Sequence, residues 1–185
     1  MRLKKYLLNR VALALFSILI TGFVYGQNPL FKVESNYLSR HDIVYQTPAY
    51  EGFEGFPLGN GDLGGMVWNT NNGIEVQINK NDLFDQTCEE NRSTLRGGAR
   101  LNIDLGAPGF EWMYLDNFDG RLSLQNAEVT LNAKTPFMES NINSWVAHGK
   151  NVWCFQVKTK SFDALKYGTK FRISLERWGS RAFPG

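Results

Sequence analysis

The chain has 185 residues, 43% hydrophobic and 14% aromatic, which allows one globular domain with a real core but not two large ones. Twenty basic and 18 acidic residues leave a net charge of +2, and part of that excess sits at Arg2, Lys4, Lys5 and Arg10. The remainder is close to neutral, which excludes the electrostatic footprint of a nucleic-acid or membrane-surface binder.

Residues 1–26 read as a secretory signal peptide: a basic start, an apolar run over residues 11–24, then the polar, turn-prone Gly26-Gln27-Asn28-Pro29. The apolar run is short of the roughly 20 residues that span a bilayer, so cleavage is preferred to anchoring. No cysteine lies near the cleavage region, which argues against a lipid-anchored N-terminus. Residues 27–185 are then an exported domain, periplasmic or extracellular, with no membrane contact after cleavage. Export raises the question of Cys88 and Cys154, the only two cysteines. They are a candidate disulfide pair. The preferred reading is two unpaired thiols, since Cys154 falls in a strand pattern and Cys88 in a polar loop.

In chain order, Ile43-Val44-Tyr45 predicts a first strand, broken at Thr47-Pro48. Residues 56–85 then organise the chain. They open with a glycine-rich loop, Gly59-Asn60-Gly61-Asp62-Leu63-Gly64-Gly65. A hairpin pattern follows, with a turn at Thr70-Asn71-Asn72-Gly73, whose Asn-Gly pair implies positive φ. In the return strand Ile74, Val76 and Ile78 alternate with Glu75, Gln77 and Asn79, which predicts one buried and one polar face.

Gly59, Gly61 and Gly64 also spell G-x-G-x-x-G, with Asp82 about 20 residues on. A dinucleotide site needs a helix opening at the third glycine. Here the chain runs into a short strand, so the glycines predict a tight bend beside a sheet. No cofactor is expected.

Residues 82–98 read as a long polar surface loop, with room for one helical turn. Leu101, Ile103 and Leu105 alternate next, then Ala107-Pro108-Gly109 breaks the pattern ahead of an aromatic cluster, Phe110-Glu111-Trp112-Met113-Tyr114. Asp119-Gly120 reads as a turn into Arg121-Leu122-Ser123-Leu124. Ala127, Val129 and Leu131 alternate, and Gly149-Lys150-Asn151 predicts a turn between Trp145-Val146-Ala147 and a strand over 152–159. Phe171, Ile173 and Leu175 alternate last. Many short strands and no sustained helical period predict an all-β fold, an antiparallel β-sandwich. The chain stops soon after a strand pattern and without a polar tail, which reads as a truncated chain and an incomplete sandwich.

Chemistry-bearing residues are sparse. Asp62, Asp82, Asp85, Glu89 and Glu90 supply acids near the central stretch, and Asp62 with Asp82 is the pair to test against the spacing of about 6.5–9.5 Å that inverting glycosidases use. Acids beside glycines are more often turn formers or solvated charges, so no catalytic residue is assigned. Asn69-Thr70-Asn71-Asn72-Gly73 fails as an EF-hand loop because position one lacks an acid and Lys80 occupies position twelve. His41 and His148 are too far apart in sequence to form a metal spacing with the cysteines, so no metal is expected. Of the five tryptophans, Trp153 is assigned to the core with Phe155 and Val157. Trp112 is the candidate for stacking on a sugar ring.

The segment Pro57-Leu58-Gly59-Asn60-Gly61-Asp62-Leu63-Gly64-Gly65-Met66-Val67, with Ile78-Asn79-Lys80-Asn81-Asp82-Leu83-Phe84 after it, resembles the start of the N-terminal β-sandwich domain of glycoside hydrolase family 95, the inverting α-L-fucosidases. Residues 119–129 resemble a later strand pair of that domain. The likeness extends over roughly residues 45–175. Lys80-Asn81 stands where that family has an acidic pair, and Phe56 where it has a small or aliphatic residue. A related domain family, in the same N-terminal position in exported bacterial carbohydrate-active proteins, resembles the chain too.

The resemblance implies a supersandwich-like fold and an accessory role, inactive alone, with catalysis in an (α/α)₆ barrel that no part of this chain matches. It implies that Asn60, Asp62, Asn79 and Asp82 reach that barrel or the rim of a sugar site. The partner is then the barrel or a glycan. The alternatives are a stand-alone carbohydrate-binding sandwich, with Trp112 as a contact, and a structural envelope protein.

Overall fold

The computed structural model describes residues 36–85, 94–95, 97–162 and 170–177. The signal-peptide segment, Cys88, Glu89, Glu90, Trp178 and the residues after it lie outside them. The chain divides into two compact units, Met1–Tyr37 and Leu38–Gly185, and every strand described belongs to the second.

Alternating apolar residues give the first sheet its strands: β1 (Ile43–Tyr45), β8 (Asn117–Ser123), β9 (Glu128–Lys134), β10 (Met138–Val146) and β11 (Trp153–Ser161), hydrogen-bonded in the order β1-β8-β9-β10-β11. The second sheet holds β2 (Phe56–Gly59), β3 (Leu63–Thr70), β4 (Gly73–Lys80), β7 (Ala99–Asp104) and β12 (Arg172–Glu176), in the order β12-β7-β4-β3-β2. All pairings are antiparallel. Among the described residues no helical segment exceeds four residues. The fold is the all-β antiparallel sandwich that the strand pattern predicts.

The core lies between the sheets. β10 buries every second residue from Met138 to Val146, and β9 buries Val129, Leu131 and Ala133. Facing them are Phe56, Leu58, Val67, Ile74, Val76 and Ile103 of the second sheet. Trp153, Phe155 and Val157 on the edge strand β11 are half-buried against this core, as assigned from the sequence. The Trp153 indole N–H donates to the Ser144 hydroxyl at 2.8 Å, so a polar atom entering the interior is satisfied. Cys154, on the opposite face of β11, is a free, half-buried thiol.

Several local readings need correction. Asp119-Gly120 is no turn: both residues lie inside β8. A Cβ at Gly120 would meet the Phe118 ring at 3.1 Å and the Phe56 ring at 3.2 Å, so this glycine marks a close approach of aromatic rings from both sheets. The turn comes later, where Ala127 takes φ 52 just ahead of β9.

The β3–β4 hairpin forms, but Asn71 and Asn72 at its tip do not adopt positive φ. Their carbonyls instead accept hydrogen bonds from Phe110 and Leu105, so the loop after β7 sets the turn geometry. Within residues 82–98, β5 (Phe84–Asp85) pairs with β6 (Thr94–Leu95), which adds a short ladder to the loop reading. Finally, Phe171, Ile173 and Leu175 alternate as predicted but stay exposed, Ile173 at 68%. Ile173 and Leu175 lie on β12, which among the described strands pairs only with β7 at the edge of the second sheet, and Phe171 just precedes it.

Leu131→Ala is expected to cost about 2–5 kcal/mol in urea unfolding, because it opens a cavity in a fully buried layer. Ile173→Ala is expected to stay within about 0.5 kcal/mol. Equal costs at the two positions would contradict the placement of the core.

Candidate functional site

The glycine-rich loop is the β2–β3 turn, and Asn60 builds it. Its side-chain oxygen accepts from the Asp62 and Leu63 amides at 3.0 and 2.9 Å, the self-bonding that suits asparagine to turns. Gly61 follows at φ +94, a conformation that a side chain would strain. The Asn60 amide then donates to the carbonyls of Ala147 at 3.0 Å and Lys150 at 2.8 Å, in the β10–β11 loop of the other sheet. One side chain therefore ties together turns almost 90 residues apart.

Asp62 extends the tie. One carboxylate oxygen accepts from the Asn151 amide at 2.7 Å, and the other pairs with Lys80 at 3.2 Å. Lys80 also holds Asp82 at 2.6 Å. The Asn151 hydrogen bond, followed by the Lys80 contact, holds the Asp62 carboxyl below the usual carboxylate range. The Asp82 hydrogen bond raises Lys80. A general acid needs the opposite shift. One Lys80 ammonium also contacts both carboxylates. Asp62 and Asp82 thus form a lysine-bridged cluster and not an acid–base pair across a substrate.

The other expected site residues are placed differently. Asn79 faces away from this knot on β4, where its side-chain oxygen accepts from Gln77 at 3.1 Å and from the Gly98 amide at 3.3 Å. Trp112 lies in a short 3₁₀ turn, Trp112–Tyr114, and is 69% exposed, with Met113 exposed beside it. That turn follows Phe110, whose amide bonds Asn71 at the far end of the β3–β4 hairpin. The length of β3, about 25 Å for its eight residues, separates it from Asn60. The structure therefore brings Asn60, Asp62 and Asp82 together and leaves Asn79 and Trp112 apart from them.

Two hollows on the outer faces were not anticipated. The second sheet carries a cleft of about 330 Å³ between β3, β4, β7 and the segment at residues 50–52. Met66, Trp68, Glu75, Gln77 and Arg100 line it. The first sheet carries a hollow of about 460 Å³, with Lys134, Lys158 and Lys160 around Asn132 and Asn141. Among the described residues no group of three or more His, Cys, Asp or Glu side chains converges as a metal site would require.

Residues 44–182 match the family model of the N-terminal domain of unknown function DUF5703. The chain belongs to this family. The match begins in β1 and runs past β12, so the DUF5703 domain takes in both sheets, the Asn60 turn and both hollows. It carries no link to glycoside hydrolase family 95. No curated protein matches the chain.

Because the Asp62 pKa is depressed in the folded DUF5703 domain, its tie contributes stability above the ordinary carboxylate range and loses it as pH falls below about 4. Lys80 acts at the other limb: its pKa is raised, so its contribution is present below the ordinary lysine pKa and is lost above about pH 10. A carboxyl-detected NMR titration is expected to show Asp62 titrating lower in the wild type than in Asn151→Ala. An unchanged midpoint would contradict the assigned cause.

Proposed function

We propose that this domain is the accessory sandwich of an exported glycoside hydrolase-like protein resembling the α-L-fucosidases. It docks through its Asn60 loop end on a helical barrel that carries the chemistry. The observation that supports this most is the saturation of that loop end. Asn60, Asp62, Lys80 and Asn151 spend their polar groups on one another and on backbone, which favours a pre-ordered contact surface over a proton-transfer site. The family-95-like segment, residues 57–67, coincides with the β2–β3 hairpin that presents this surface. A preordered surface loses little conformational entropy on docking.

A second reading, a stand-alone carbohydrate-binding sandwich, is favoured by the exposed indole of Trp112. Purified chain, assayed alone on an aryl α-L-fucoside, is expected to give no turnover above the buffer rate. Turnover that is lost in Asp62→Asn would overturn the accessory reading.

A further inference from the structure

We propose that the outer-face cleft of the second sheet is a binding site for a neutral pyranose unit. This deepens the carbohydrate reading above, and rests on it, by naming a place and a ligand class. The sheet register assembles the cleft. Trp68 pairs with Glu75 and Met66 with Gln77 across β3 and β4, and Gln77 pairs with Arg100 across β4 and β7. All five side chains therefore stand on the same outer face. The segment at residues 50–52 forms the opposite wall and is pinned at its start by the Asn69 backbone N–H, which donates to the Ala49 carbonyl at 2.7 Å. Tyr50 secures the same wall by donating its hydroxyl to the Phe110 carbonyl.

Three features select the ligand. The volume, about 330 Å³, lies at the small end of ligand pockets and suits a single ring. Half-buried Met66 offers apolar surface to the C–H face of a pyranose, while the Trp68 ring, buried beneath Gly52, stiffens the floor of the cleft. Beside it stand the guanidinium of Arg100, the amide of Gln77 and the carboxylate of Glu75. Together they give donors and acceptors in one row, and each sugar hydroxyl both donates and accepts.

Charge narrows the class further. Arg100 is paired with Glu75 at 3.2 Å, and Glu51 adds a second carboxylate to the lining. Among the described residues that line the cleft, Arg100 is the one cation and two carboxylates stand beside it, which leaves no surplus positive charge for an acidic sugar. The surplus lysines are on the other sheet, around Asn132 and Asn141. An acidic saccharide is therefore expected to avoid this cleft.

The test is a ¹H–¹⁵N NMR titration of the folded chain with L-fucose and D-galactose as neutral probes and D-galacturonate as the acidic one. Shifts at Gly52, Glu75, Gln77 and Arg100 with a neutral probe, at a Kd of about millimolar, are expected. Gln77→Ala is expected to weaken binding about tenfold, as loss of a ligand hydrogen bond does. Arg100→Ala is expected to abolish it, and Trp112→Ala to leave it unchanged. If Arg100→Ala fails to fold, Gln77→Ala alone decides. Shifts confined to residues 112–114, shifts confined to the lysine hollow, or no shift with either neutral sugar would each overturn the cleft. The first of these leaves the stand-alone binding reading intact. The accessory reading is judged separately, by the fucoside assay.

Discussion

The sealing of one face of each sheet against the other is the constraint that the rest of the molecule obeys. Val67, Ile74 and Val76 on one side, and Val129, Leu131 and Ile142 on the other, are fully buried. Each contributes roughly 1.5–3 kcal/mol of apolar burial. Because side chains alternate along a strand, filling the inner faces sends Glu75, Gln77 and Arg100 outward from one sheet and Asn132, Asn141 and Lys158 outward from the other. The outer faces are thus where polar chemistry collects, and both hollows lie there.

The end of the sandwich is fixed by a different kind of contact. Hydrophobic burial is non-directional and does not set the angle of a loop, whereas the Asn60 amide, spread over two carbonyls and two amides, does. Asp62, Lys80 and Asn151 add charge-assisted bonds around it. These residues are exposed or half-exposed, so their value lies in geometry more than in stability. A loop end held this way keeps its shape for a partner, and a carboxylate held this way does not release or take up protons near neutral pH.

The period-two pattern made the fold legible. Ile74, Val76 and Ile78, and later Val129 and Leu131, named a buried face that the structure fills. Glycine was the weak point: at Gly61 it marks a turn, at Gly120 it makes room for two phenylalanine rings, and sequence alone offers no way to tell these apart. Alternation also says nothing about what covers a face: β12 alternates as the core strands do and is an exposed edge. At the candidate site, Asn60 and Asp62 were legible from their place in the loop. Their partners Ala147, Lys150 and Asn151 were not, since no local signal links turns so far apart in sequence. The cleft was hidden for a similar reason: Gln77 and Arg100 meet only through the β4–β7 register.

Native-state amide hydrogen exchange tests a sealed core with a locked loop end most directly. Val76, Leu131 and Ile142 should exchange only through global unfolding. Asp62 and Leu63, whose amides donate to the Asn60 side chain, should exchange more slowly in the wild type than in Asn60→Ala. Rapid exchange at Asp62 and Leu63 in the wild type, at the rate of an unprotected turn, would contradict the account.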